Sequence, residues 1–462
     1  MIYFVVIIFI FTFTGYIGGN SIALKTLEYR ENLTLNIDYE LNNEAFVSCS
    51  KDGSEGVFTR DRKLTIRDLV FIIMNFKSAT QRELDRFVKT VTSNDFSVRE
   101  VSKSAFTQAR AKLNPWAFKR LNQVAVDTFY EQAPFLNWHG KRLLSADGTK
   151  LLLPKHDTIK EEFGSTFYGP KADSEQSMAL GSILYDVLNQ LCLDSEIEGI
   201  HISELDLLER HLAHVKQGDL LLLDRFYPSK WLFFLLMAKG VDFCVRMKND
   251  WWKIVETFTN SKDMERIVSF KLPKKDYKKL SAYPEIIDQE IKCRLVKVEL
   301  ETGEIEILCT SLTDTLEYKI EEFKTLYHLR WNEEEAYKLL KSRIELEKFS
   351  GKTAKAVRQD FHAKVFLMTL CSAYAFPIEE KLREEYNQEK RKTKHAQKPN
   401  KTHALATLSD MLIPIFIKRK LNEFLAYFDE MVYKTREIIR KNRSVERKKK
   451  TKKQYYMNYK PL

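Results

Sequence analysis

The sequence predicts an α/β protein, a sheet domain with helices before and after it. Three observations predict this class. Apolar residues recur at three- and four-residue steps from Phe58 to Tyr130, a helical period. Near Gly140 the period changes to short apolar runs separated by turn residues. Finally, Leu220–Leu223 in GDLLLLDRFYPS is an apolar run bounded by acids, the pattern of a strand buried on both faces of a parallel sheet region.

Taken in order, residues 20–55 are polar and turn-rich without a clear period and read as a linker. LTIRDLVFIIMNF and QRELDRFVKTV are helical. In VSKSAFTQARAKLNPWAF, Ser102 or Ser104 can cap a helix and Pro115 can close it or open the next. Lys103, Gln108, Arg110 and Lys112 on these helices would suit a DNA surface in a helix-turn-helix manner; a plain helical bundle explains them equally well.

KRLLSADGTKLLLP reads as strand, tight turn at Asp147-Gly148, strand. SELDLLERHLAHV is a helix, with His211 and His214 expected on its surface rather than as metal ligands. LLLL and VDFCVRMK are buried strands. Chemistry in open α/β sheets sits at the carboxyl ends of strands, which favours Asp224 and disfavours Asp219. Residues from about 249 to 315 look like a β-rich insertion with a hairpin at Thr302-Gly303. Long helices follow, first GKTAKAVRQDFHAKVFLMTLCSAYAF and then two closing ones.

The predicted divisions are an apolar segment and linker over 1–57 and a helical, DNA-binding domain over 58–138. The sheet domain runs over 139–350, C-terminal helices over 351–433 and a basic tail over 434–462. Charge is unevenly spread: the chain carries +11, and Lys434–Leu462 alone has twelve Lys/Arg against two acids, or +10. That tail suits phosphate contact, with tyrosines for stacking, and equally suits a solvated tail. The six cysteines show no CxxC pair, which argues against a zinc ribbon or a disulfide framework and for a reducing compartment. Met1–Gly19 is uncharged and nearly as long as a membrane span, yet lacks a basic leader and a small-residue cleavage site. An anchor, a secretory signal and an upstream start codon compete; nothing downstream looks secreted or membrane-embedded, so the last is preferred.

LYHLRWNEEEAYKLLKSRIELEKF, residues 326–349, reads as a helix rich in Leu, Glu, Lys and Ala. With Tyr327 at zero degrees, Arg330 falls at about −60, Glu334 at about −20 and Lys341 at about −40 degrees. Leu329, Ala336, Leu339 and Leu340 take the opposite, core-facing side. The plain reading of the polar stripe is a solvated helix face. Glu333 and Glu335 lie about 100 degrees to either side, so Glu334 is the acid of the stripe. Asp147, Asp224 and Glu334 brought together would form an all-oxygen site for Mg²⁺ or Mn²⁺. Two such ions about 4 Å apart activate a nucleophile and stabilise a leaving oxygen in phosphodiester displacement. Arg330 and Lys341 would hold phosphates beside it.

The spacing Y-x2-R-x3-E-x6-K, met by Tyr327, Arg330, Glu334 and Lys341, resembles the YREK signature of bacterial insertion-sequence transposases with a DDE core. LLSADGTKLLLP and GDLLLLDRFYPS resemble the two aspartate strands of that family, and the likeness covers roughly residues 58–430. The resemblance implies an RNase H-like catalytic core interrupted by the β-rich insertion. It implies a metal-binding triad of Asp147, Asp224 and Glu334, with Tyr327, Arg330 and Lys341 gripping the transposon-end strand. Arg225 follows the second aspartate as an Arg commonly does, but Phe226-Tyr227 stands where Gly-Tyr is frequent. Also implied are cleavage and strand transfer on double-stranded DNA at terminal inverted repeats and target DNA, two metal ions, a homodimer on paired ends, no small-molecule substrate, and a cytoplasmic, nucleoid-associated location. The alternatives are an RNase H-fold nuclease without strand transfer and an inactive DNA-binding derivative.

Overall fold

The computed structural model describes residues 19–52, 64–94, 96, 99–168, 174–300, 303–388 and 394–439. The apolar stretch before Gly19 and the basic tail beyond residue 439 lie outside the described residues. Six helices open the described residues: α1 (Gly19–Asn42), α2 (Glu44–Cys49), α3 (Ile66–Met74), α4 (Thr80–Thr92), α5 (Lys103–Ala111) and α6 (Trp116–Gln132). The sheet region follows with β1 (Leu143–Leu152), α7 (Asp157–Phe163), β2 (Ser165–Tyr168), β3 (Ser174–Asp186), β4 (Leu191–Gly199), α8 (Glu204–His211), β5 (Leu220–Leu223), α9 (Lys230–Ala238) and β6 (Asp242–Met247). The next stretch holds α10 (Lys253–Thr259), β7 (Glu265–Lys271), a 3₁₀ turn (Lys274–Leu280), α11 (Pro284–Ile287), β8 (Glu290–Glu299) and β9 (Ile305–Thr310). Then come α12 (Ile320–His328), α13 (Trp331–Ser342), α14 (Ala354–Asn387), β10 (Gln397–Lys398), α15 (Lys401–Phe416), α16 (Leu421–Lys434) and β11 (Glu437–Ile438).

The α/β class is the one expected. β4, β3 and β1 form an antiparallel meander; β5 and β6 then continue the sheet parallel to β1. This is the RNase H-like arrangement that the resemblance implies. β9 pairs antiparallel with β6, and β8 and β7 follow outward. The expected insertion is therefore a lateral extension of the same sheet, and Gly303, at φ +80°, turns its hairpin.

Three expectations are corrected. Residues 20–55 are not a linker: α1 and α2 occupy most of them. Tyr29, Leu33, Ile37 and Leu41 recur every fourth residue and are all buried, with α1 packed on α6 and α14. Single apolar residues spaced through a polar segment make one narrow stripe, which composition averages away. Second, Asp147-Gly148 is no turn. β1 runs unbroken, paired with β3 from Leu144↔Asp186 to Leu152↔Met178. Third, the helices before residue 139 share one hydrophobic core with the sheet. α6 lies on β4 and α14, with the Asn122 amide donating to the Cys192 carbonyl at 2.8 Å.

Arg110, weighed as a DNA contact, is 6% exposed and ties α5 to α14. Its Nε donates to Gln359 at 2.6 Å and its Nη2 to Asp360 at 2.8 Å. One helix among the described residues, α14, is long and apolar enough to cross a membrane; 89% of its apolar window is buried inside the protein. It is the central core helix, and its burial against β4, α6, α3 and α1 accounts for its hydropathy.

Candidate active site

β1 and β5 run parallel with Leu143↔Leu220, Leu144↔Leu221 and Ser145↔Leu222 in register. Continuing that register by two residues sets Asp147 level with Asp224. Residues at matched positions of parallel neighbours project from the same face, with strands about 4.8 Å apart. Asp147 is thus mid-strand with respect to β3, yet lies where β1 parts from β5. Asp224 follows the last residue of β5 and accepts from the Phe226 backbone N–H at 2.7 Å. That bond curls the loop at once, so Phe226-Tyr227 in place of Gly-Tyr leaves Asp224 at its strand end.

The stripe segment is two helices rather than one. α12 ends at His328 and α13 begins at Trp331, with Leu329 and Arg330 still in right-handed helical conformation between them. Here i→i−3 bonds take over: Arg330 N–H to Tyr327 O at 3.2 Å and Glu333 N–H to Arg330 O at 3.1 Å. The tightened turn brings Arg330 inward. α13 stops at Ser342, and Ile344, Leu346 and Phe349 are buried beyond it without helical structure.

Each member of the four-residue signature touches the sheet or another member. Tyr327 is buried and donates its hydroxyl to the Leu223 carbonyl at 3.2 Å, one residue before Asp224. Lys341 Nζ donates to the Lys150 carbonyl on β1 at 2.8 Å. Arg330, 7% exposed, bonds Glu334 at 3.0 Å and lies 3.9 Å from Asp147. Its guanidinium also lies 5.9 Å from the Tyr327 ring centroid. The stripe is therefore no solvated face. Arg225, by contrast, is exposed, 5.7 Å over the Phe226 ring.

The three carboxylates do not close into the cluster expected. Among the described residues, no group of three or more His, Cys, Asp or Glu is arranged to hold a metal. Arg330 is the physical reason: it draws Glu334 to itself and stands between that acid and Asp147. Asp147 and Asp224 nevertheless suit a divalent cation. Burial pushes the Asp147 carboxyl up to about 7; Arg330 pulls it down, and Asp224 and Glu204 push it up again. The buried Tyr227 hydroxyl and Glu333 Oε1, both without a hydrogen-bond partner among the described residues, border the same acids. Oxygen donors and surplus negative charge are what a hard cation needs.

Two acids of this neighbourhood were missed. Glu204, first residue of α8, lies against Gly148, where any Cβ would run into its side chain. Burial raises its carboxyl, and Asp224 raises it further. Only the Ser203–Asp206 capping box, which fixes the start of α8, hinted at its place. Glu333, set aside as a flanking residue, is fully buried and accepts from Ser145 on β1. Burial and Asp147 drive its carboxyl well above the usual range. Asp219 is no part of the site; it binds Arg142 at 2.7 Å at the opposite strand end. His211, expected at the surface, is fully enclosed between Asp194 at 2.8 Å and Ser182 at 3.0 Å.

Fold and site together define an α/β protein with paired aspartates at the top of adjacent parallel strands and a helix pair beside them that carries Arg330, Glu334 and Lys341. A family model described as Transposase DDE domain matches residues 138–371, just over half of the chain, and the chain belongs to that family. No curated protein matches the sequence. Among solved structures it is similar to the cryo-EM structure of the piggyBac transposase synaptic complex with hairpin DNA. Identity there is 11%, TM-score 0.42, over 86% of this chain and 85% of that one.

Proposed function

We propose that this chain is a transposase that cuts DNA at the ends of an insertion sequence and joins those ends to target DNA, acting as a homodimer on paired ends. The observation that carries the reading is the level placement of Asp147 and Asp224 on neighbouring strands, with Arg330 linking Asp147 to Glu334. Asp147, Asp224 and Glu334 would hold Mg²⁺ or Mn²⁺, as two ions. When bound, such ions lower the pKa of a nucleophilic oxygen and stabilise the leaving one.

The chain's own residues do the rest. Lys341 and Arg225 supply exposed or half-exposed cations for the backbone of the strand being cut. Arg330 holds its guanidinium where a phosphate can take over from the carboxylates. Tyr327 acts from below, fixing Arg330's approach and the strand end that carries Asp224.

The test uses double-stranded DNA from both flanks of the gene, incubated with the protein and Mn²⁺ or Mg²⁺. Nicks should appear at the ends of short inverted repeats, and joined products should appear with a supercoiled target. Cleavage without joining would assign a nuclease instead. Glu334→Gln should bind the ends and cut nothing; a variant that still cuts refutes the assignment.

A further inference from the structure

We propose that Tyr337 is a positioning residue whose hydroxyl ties the helix carrying Glu334 to the strand carrying Asp147 at the level of Asp147 itself. The inference rests on the reading that these two carboxylates act together.

Asp147 faces Ile183 across the antiparallel β1–β3 pair. Tyr337 enters this pair from α13, three residues after Glu334. Its hydroxyl accepts from the Ile183 N–H at 3.0 Å and donates to the Asp147 carbonyl at 2.7 Å. One oxygen on α13 is therefore bonded to both strands at once. Rotation or sliding of α13 relative to β1 must break one of these bonds, and Glu334 rides on the same turn of helix.

The Asp147 carbonyl takes a second side-chain donor, Ser182 Oγ at 3.0 Å. Behind Ser182 stands His211 Nε2 at 3.0 Å, and His211 Nδ1 faces Asp194 at 2.8 Å. Lys119 lies 3.2 Å from Asp194. Ser182 Oγ donates to the Asp147 carbonyl, and the His211 ring lies within hydrogen-bond distance of both Ser182 and the Asp194 carboxylate behind it. Ser182, His211 and Asp194 are all buried, so this row of bonds from β4 through α8 and β3 is shielded from water. Two independent supports thus meet on one carbonyl, and the side chain it anchors is Asp147.

Tyr337→Phe removes only the hydroxyl. Mn²⁺ binding to the full chain without DNA is read by loss of the free-ion electron paramagnetic resonance signal, beside cleavage of flank DNA, end binding and Tm. The expected result is unchanged end binding, a Tm within a few degrees of wild type and Mn²⁺ half-saturation raised about tenfold, the size of effect typical for groups that orient metal ligands. Cleavage should fall at limiting Mn²⁺ and recover at saturating Mn²⁺. Ser182→Ala removes the other donor and carries the same test if Tyr337→Phe does not fold; the two together should be non-additive, since they share one carbonyl. Unchanged Mn²⁺ binding in either folded variant overturns the proposal, as does a loss that only tracks Tm. If wild type itself neither binds Mn²⁺ nor cuts, the functional reading fails first; if wild type does both and the variants match it, the positioning role alone fails.

Discussion

Arg330 and Glu334 form an ion pair at 3.0 Å across the tightened turn between α12 and α13, and the same guanidinium lies 3.9 Å from Asp147. A single buried cation therefore balances two acids that come from distant parts of the chain.

Replacing Arg330 by Ala should leave both acids uncompensated. Removing one partner of an enclosed pair costs several kcal/mol, and the partial exposure of the two acids lowers the figure here to about 2 kcal/mol. Urea unfolding measures this, and DNA cleavage should fall at least about a hundredfold, the scale for a donor aimed at developing charge. Full activity in the variant would remove Arg330 from the site.

Glu333 makes a different prediction. Burial and the nearby Asp147 raise its carboxyl well above the usual range, so the folded protein favours the protonated form. With the folded pKa above the unfolded one, its contribution to stability is full below about pH 4.3 and is lost as pH rises through the folded value. Glu333→Gln should therefore be nearly neutral below about pH 4.3 and more stable than wild type at pH 7, because it lacks the carboxyl that the unfolded chain ionises and the fold keeps protonated. Glu333→Ala should cost about 2 kcal/mol by stranding the Ser145 hydroxyl in a cavity. Equal destabilisation by Gln and Ala at every pH would show that the carboxyl is charged in the fold.

His362 predicts the opposite slope. It is enclosed beside Ser195, and burial, with the Lys119 charge next, holds its imidazole down to about 3. The unfolded chain takes up the proton near pH 6.5. Its contribution is complete above that value and is lost as pH falls toward 3, at about 1.4 kcal/mol per unit. Unfolding free energies at pH 7 and pH 5 should differ by less in His362→Gln than in wild type; the same difference in both would sink the idea.

Lys341→Ala loses one bond to the β1 backbone at a half-exposed site, so Tm should move little. End binding should weaken, and the slope of log affinity against log salt should shrink by about 0.9 if one phosphate contact is lost. An unchanged slope would place Lys341 off the DNA.

The sequence by itself determined the α/β class, the buried strand ending at Asp224 and the four-residue spacing from Tyr327 to Lys341. These are local: a run of apolar residues sets burial on both faces, and helical period sets which side chains share a side. It also carried the likeness to DDE transposases, which the matching family model bears out at that level. Only the tertiary structure decided that Asp147 lies within a continuous strand, since the partner β3 comes some thirty residues later and no turn rule sees it. It alone brought Glu204, Glu333, Tyr337 and His211 to the aspartates. Their approach depends on strand register and helix docking, which no spacing along the chain records, and His211 and Glu333 are buried there because Asp194 and Ser145 wait to bond them.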